Sequence, residues 1–150
     1  MQRAHIYVNF AGNSEEAFEF YRQVFGGDYM GVFRYRDMGG EQMGLSGSDL
    51  DKIMHIALPL PDGTLLMATD VLESTGQKLT QGNNFYIYVE TDSADEARRL
   101  FDGLSNGGAV EMDLARTEWA EQYGSLRDRF GVQWMVSYTG NVQFGAQPAA

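Results

Sequence analysis

The feature that most constrains this chain is that it repeats itself. Ser14-Glu15-Glu16-Ala17-Phe18-Glu19-Phe20-Tyr21 parallels Ala94-Asp95-Glu96-Ala97-Arg98-Arg99-Leu100-Phe101, and each stretch follows an Ile-Tyr-Val triplet, at 6–8 and 87–89. Farther along each half, Gly63-Thr64-Leu65-Leu66-Met67-Ala68-Thr69 matches Gly131-Val132-Gln133-Trp134-Met135-Val136-Ser137 as Gly-x-x-apolar-Met-x-hydroxyl. Whatever the first half folds into, the second is expected to fold into as well, as after a duplication.

The unit that repeats is readable from its periodicities. His5 to Phe10 alternates, with Ile6, Val8 and Phe10 on one face and His5, Tyr7 and Asn9 on the other, which predicts a strand. Ser14 is the expected N-cap of a helix that carries Glu15 and Glu16 in its first turn and ends at Gly26-Gly27. Tyr29–Tyr35, Ile53–Leu60 and Thr64–Thr69 read as strands, the last two joined by the turn Pro61-Asp62-Gly63. The second half gives Phe85–Glu90 as strand, Ala94–Leu104 as helix, then strands over Val110–Ala115, Gly124–Asp128 and Val132–Tyr138, with a helical turn expected over Thr117–Gln122. Each half is therefore β-α-β-β-β. The Gly-, Met- and Asp-containing stretch from Asp37 to Asp51 lacks periodicity and is longer than a usual connection, as a lid or a disordered loop would be. The Gly/Gln/Ala tail over 140–150 is expected to be mobile.

Composition excludes more than it assigns. At 150 residues and 43% hydrophobic, one globular domain suffices, burying about 70% of its unfolded surface. Cysteine is absent, so disulfides, thiolate metal sites and cysteine nucleophiles are excluded, and a cytoplasmic location is expected. No apolar run of signal-peptide or membrane-spanning length occurs. The formal charge of −10 repels phosphate backbones and anionic lipid surfaces, so neither nucleic acid nor membrane is an expected partner. Gly-x-Ser-x-Gly, His-Glu-x-x-His and phosphate-cradling glycine loops are also missing.

The duplicated unit resembles the vicinal-oxygen-chelate superfamily, which contains glyoxalases, bleomycin-resistance proteins and extradiol dioxygenases. More narrowly, Tyr7-Val8-Asn9-Phe10-Ala11-Gly12-Asn13 with Ala17-Phe18-Glu19-Phe20-Tyr21, then His55, then Asp128-Arg129-Phe130-Gly131-Val132-Gln133-Trp134-Met135, looks like its bacterial demethylubiquinone-methyltransferase-like subgroup. The resemblance implies an α+β fold of two tandem βαβββ modules, about 3–72 and 83–139, whose curled mixed sheets surround a cavity. It also implies a homodimer. In the superfamily each half contributes one metal ligand on its first strand and one on its fourth. His5 matches the first. The second falls on Asn84, or on Phe85 with a one-residue slip, and the fourth-strand glutamates fall on Met67 and Met135. Thioethers are poor ligands for hard or borderline divalent ions, so no metal and no other cofactor is expected.

Several residues carry two readings each. His5 and His55 are candidate catalytic bases, since an imidazole titrates near neutrality; otherwise each is a hydrogen-bonded structural histidine. Met67 and Met135 are core gap-fillers or, with Tyr7, Asn84, Tyr86 and Trp119, the lining of a substrate pocket; Tyr88 would add another aromatic wall. Trp119-Ala120-Glu121-Gln122-Tyr123-Gly124 is a cavity-mouth segment or a lid packed on the sheet. Arg127-Asp128-Arg129 grips an anion or forms a solvated edge strand, and Asp70 is an acid/base or a turn residue. Three functions follow: a metal-free protein that binds a small organic molecule, a lyase or isomerase using His5 or His55 as base, or a non-catalytic assembly protein.

Overall fold

The computed structural model describes residues 1–143 and divides into two compact units, Met1–Thr80 and a second that begins at Gln81. Each unit is a helix on a four-stranded mixed sheet, and neither sheet closes on itself. In the first unit β1 (Ile6–Phe10), α1 (Ser14–Phe25), β2 (Gly31–Arg34), β3 (Ile53–Pro59) and β4 (Leu65–Asp70) follow in order; in the second, β5 (Ile87–Glu90), α2 (Ala94–Ser105), β6 (Ala109–Ala115), β7 (Gln122–Arg127) and β8 (Gln133–Tyr138). The strand orders β1-β4-β3-β2 and β5-β8-β7-β6 are the same topology twice. In both, the first and last strands pair parallel and the others antiparallel.

Alternation decides which sheet face each residue occupies. In the first unit Phe10, Ile56, Leu58, Leu66 and Ala68 are buried, as are Ala17, Phe18 and Tyr21 of α1. Phe10 meets Phe18 edge-on at 6.3 Å between ring centroids. In the second unit Ile87, Leu126, Trp134 and Val136 of the sheet, and Ala97, Leu100, Phe101 and Leu104 of α2, are the corresponding core. Each fully buried large side chain contributes about 1.5–3 kcal/mol relative to exposure. Gly124 lets α2 approach: a Cβ there would stand 2.7 Å from the Phe101 ring and 2.8 Å from the Met112 carbonyl oxygen.

The helix starts differ from each other and from the expectation at Ser14. Asn13 is the N-cap of α1, without a side-chain cap bond, and Ser14 is a buried helical residue whose N–H donates to Asp70 Oδ1 at 3.0 Å. Asp70 also accepts from Gly12 N–H at 3.2 Å and, through Oδ2, from Ile53 N–H at 2.9 Å. A carboxylate from the far end of β4 thus does what a local cap does elsewhere. In α2 the local device is present: Ser93 Oγ accepts from Glu96 N–H at 3.0 Å, and the Glu96 carboxylate accepts from Asp92 N–H at 3.2 Å.

The Asp37–Asp51 stretch contains folded backbone, with 3-10 turns over Tyr35–Met38 and Gly47–Asp51. Leu50 is buried there, and Gly40 packs so closely that a Cβ would lie 2.7 Å from the Tyr35 carbonyl oxygen. No helical turn forms over Thr117–Gln122. Thr117 Oγ1 instead accepts from Trp119 and Ala120 N–H at 3.3 and 3.1 Å, the hydroxyl-led turn that competes with helix, and β7 begins at Gln122. The tail expected to be mobile falls, from 144 onward, outside the described residues.

Candidate functional site

Each sheet has a second face, opposite its helix, and the sequence candidates gather there. On the first sheet, register places Tyr7, Met67, Ala57 and Gly31 in one row. Asn9, Thr69, His55 and Phe33 form the next: Asn9 pairs with Thr69 and His55 with Phe33, and the antiparallel β3–β4 register carries His55 opposite Thr69. Tyr7, on an edge strand, reaches over β4 so that its Oη lies 3.2 Å from His55 Nδ1, with ring centroids 5.7 Å apart. Phe33 stacks on the other side of His55 at 6.4 Å and 28°. Tyr35 donates to the Asp70 carbonyl oxygen at 2.9 Å and lies 3.5 Å from Thr69 Oγ1.

The face is half open, with Tyr7 51% and Phe33 43% exposed. Burial still pushes the Tyr7 phenol above its ordinary pKa, and the nearby Tyr35 adds to this, while a bond to Thr69 opposes it. At neutral pH Tyr7 is therefore a protonated donor. One proton lies between Oη and Nδ1, on the oxygen or the nitrogen according to the imidazole tautomer. Either way one further O–H or N–H of the pair is left to donate elsewhere.

His5 sits apart from this pair. It lies just before β1, and its Nδ1 accepts the Leu65 N–H at 2.9 Å. That bond commits the Nδ1 lone pair and fixes the neutral ring as the Nε2–H tautomer. His5 thereby continues the contact between β1 and β4 and offers a donor rather than a base.

On the second sheet Tyr88 stands opposite Met135, which stands opposite Ser125, repeating the Tyr7–Met67 pair. Counting back one residue from Ile6 and Ile87, each opposite the residue before its methionine, the counterpart of His5 is Tyr86. Asn84, expected there, lies exposed ahead of the strand. Tyr86 donates to Glu111 Oε2 at 2.7 Å, from beside one edge strand to the other, so this sheet curls around its open face. That bond is the main reason the Tyr86 phenol is held above its ordinary pKa. Trp119 packs edge-on against Tyr123 at 5.2 Å between centroids. Burial, and then Tyr88 and Glu111, push the Tyr123 phenol up.

Four candidate residues are absorbed by structure. Asp70 is the anchor described above, neither acid/base nor simple turn residue. Asp128 is buried and accepts from Phe130 N–H, Val132 N–H and Trp134 Nε1–H at 2.8, 3.1 and 2.9 Å. Arg127 donates to the Gly131 carbonyl oxygen and Gln133 Oε1, and Arg129 to the Asn106 carbonyl oxygen. Phe33, Tyr35, Thr69 and Glu111 were not singled out by sequence, and Tyr123 only within the Trp119–Gly124 segment. Parity alone would have flagged Thr69, two residues from Met67 on the same strand face.

Neither a divalent metal nor a methyl-donor cofactor fits the donor set. Among the described residues no group of three or more His, Cys, Asp or Glu can hold a metal ion. The superfamily's first- and fourth-strand positions hold His5 and Met67 in the first unit and Tyr86 and Met135 in the second, and His5 Nδ1 is already bonded. S-adenosylmethionine usually lies at a glycine-rich strand-to-helix turn of a doubly wound parallel sheet. Here the sheets are mixed, and the N–H groups at the start of α1 are taken by Asp70.

This duplicated βαβββ architecture is that of the vicinal-oxygen-chelate superfamily. A glyoxalase-related enzyme from Fulvimarina pelagi shares the fold at 15% identity and TM-score 0.60, over 99% of this chain and 96% of that one. Within that class the chain belongs to the family described as 3-demethylubiquinone-9 3-methyltransferase, whose model matches residues 2–137. It is similar to protein PA1353 from Pseudomonas aeruginosa, at 34% identity and TM-score 0.79, covering 92% of this chain and 98% of that one. It is also 29% identical over 142 residues to protein YjdN of Escherichia coli (strain K12), over 87% of this chain and 91% of YjdN.

Proposed function

We propose that this protein binds a small organic molecule on the open sheet faces, without a metal, beside the positions where its superfamily carries ligands. The observation that carries the reading is the Tyr7–His55 pair, a polar bond at 3.2 Å set on a half-exposed surface between Phe33 and Met67. Binding sites combine apolar and aromatic lining with a few convergent polar groups, and this face has that composition. Tyr86, Tyr88, Met135 and Trp119 supply comparable lining on the second sheet. A thermal-shift screen of chemically diverse small molecules tests it. A true ligand at about 100 times its dissociation constant stabilises by about 2.7 kcal/mol, and a collection in which no compound class raises the midpoint contradicts the reading.

The same pair favours a second reading, a lyase or isomerase in which His55 is the base and Tyr7 its hydrogen-bonded partner. A general base needs an available lone pair within reach of the substrate proton. With Nδ1–H donating to the Tyr7 oxygen, His55 carries its lone pair on Nε2, whereas the His5 Nδ1 lone pair is committed to the Leu65 N–H. Any turnover found with a screened ligand should fall in His55→Gln and persist in His5→Gln; loss of turnover only in the latter sinks this assignment.

A further inference from the structure

The chemistry of the first sheet's open face narrows the class of ligand, an inference that rests on the binding function proposed above. The chain has 21 Asp and Glu against 11 Lys and Arg, and only two histidines. Both histidines lie on this face by strand parity, His55 within β3 and His5 just ahead of β1, whereas no carboxylate of β1 to β4 does. The residues that β1 to β4 turn this way are Tyr7, Asn9, Thr69 and His55 among the polar ones, and Met67, Ala57, Leu65 and Phe33 among the apolar. Asp70, the nearest acidic residue in β4, has the opposite parity and is committed to Gly12, Ser14 and Ile53 N–H.

The polar groups are biased toward donation. His5 is held as the Nε2–H tautomer by Leu65 N–H, the Tyr7–His55 pair retains one outward donor in either tautomer, and Asn9 carries an amide NH2. The second sheet is the contrast. Its open face carries Glu90, opposite Ser137, and Glu111, bonded to Tyr86.

We propose that the first sheet's open face binds a small planar molecule through an acidic oxygen, a carboxylate or an enolate, which receives the one outward hydrogen bond of the Tyr7–His55 pair while its flat body lies against Phe33 and Met67. The formal charge of −10 opposes an anion at long range. Recognition therefore comes from short-range donors on a face where the strands place no carboxylate, and bonds to a charged acceptor are about twice as strong as neutral ones.

The test is isothermal calorimetry on the full chain with matched pairs of acid and neutral amide, benzoate with benzamide and cinnamate with cinnamamide, repeated on Tyr7→Phe and His55→Gln. The acids should bind at least about tenfold more tightly than their amides, and Tyr7→Phe should erase most of that preference, the loss expected for one bond to a charged group. Tyr7 is half exposed and keeps its ring in this variant, so its fold is expected to survive, as circular dichroism will report. Amides that bind as well as the acids overturn the ligand class and leave the binding function standing. Failure of every acid at millimolar concentration also overturns the ligand class, and the thermal-shift screen then decides the binding function separately. An acid preference unchanged in both variants overturns the assignment to this face.

Discussion

Asp70→Asn replaces one oxygen of a buried carboxylate by a nitrogen of nearly the same size, so its cost measures the anchor rather than a cavity. In the native protein Oδ1 accepts from Gly12 and Ser14 N–H, and Oδ2 from Ile53 N–H at 2.9 Å. Asn keeps one acceptor, which can serve the start of α1, but its NH2 then faces the Ile53 N–H, donor against donor, at a residue 1% exposed. A hydrogen bond to a charged group contributes about 1.5–3 kcal/mol, and a buried donor left unpaired costs about 1–3. Losing the Ile53 bond and weakening the other two should destabilise by about 3 kcal/mol. At 150 residues that corresponds to a fall in Tm of about 6–12 °C. Urea titration followed by both circular dichroism and tryptophan fluorescence measures it and checks that unfolding is two-state, as a chain of two compact units requires. A loss below about 1 kcal/mol would refute the reasoning, because it would mean that the three N–H groups find other partners. Asp70→Ala, which removes both acceptors, should cost more than Asp70→Asn.

Three further outcomes follow from the same geometry. Asp128→Asn should destabilise comparably, since the carboxylate serves Phe130 N–H, Val132 N–H and Trp134 Nε1–H, and the change should appear in Trp134 fluorescence. Glu111→Gln should lower the Tyr86 phenol pKa toward its ordinary value, as its largest cause is the bond to Glu111; ultraviolet titration against a Tyr86→Phe reference reads it, and an unmoved value contradicts the assignment. The Glu19 carboxyl is lowered to about 2, chiefly by its bond to Arg22 and then by that to Tyr29. A depressed folded-state pKa stabilises above the unfolded value of about 4.3 and loses that contribution as pH falls through about 2. Arg22→Ala should therefore raise the Glu19 pKa in carboxyl-carbon NMR and shrink the window; no change means that the pair does not form in solution.

Most of the architecture was legible because it depends on local period. Alternation in Ile6–Phe10 and the repeated Glu-Ala helix starts predict two βαβββ units, and parity alone sets Tyr7 and Met67 on one face. What was not legible depends on contacts distant in sequence. Tyr7 and His55 are 48 residues apart, and no periodicity says that an edge-strand phenol will cross β4 to reach β3. Asp70 gathers N–H groups from two segments 17 to 58 residues away, so as a lone carboxylate after a strand it resembles a turn residue. The slip at Asn84 has a simpler cause. From Ile87 to the start of α2 is one residue shorter than from Ile6 to the start of α1, so alignment through the helices lands on Phe85, the slipped alternative, and strand register moves the counterpart of His5 one residue further, to Tyr86. At Thr117 the hydroxyl satisfies two backbone N–H groups that a helical turn would have used.

The central claim is that an organic molecule, not a metal ion, occupies the Tyr–Met positions, and methyl-labelled methionine NMR tests it most directly. Met67 and Met135 lie opposite Tyr7 and Tyr88, whereas Met38 and Met43 are exposed elsewhere, at 48% and 55%. Chelator-treated protein titrated with a ligand from the thermal-shift screen should show saturable shifts at Met67, Met135 or both, with Met38 and Met43 unmoved and Tyr7→Phe weakening the Met67 response. Shifts confined to other methionines, or binding that returns only when zinc, nickel, manganese or iron(II) is restored, would contradict the account.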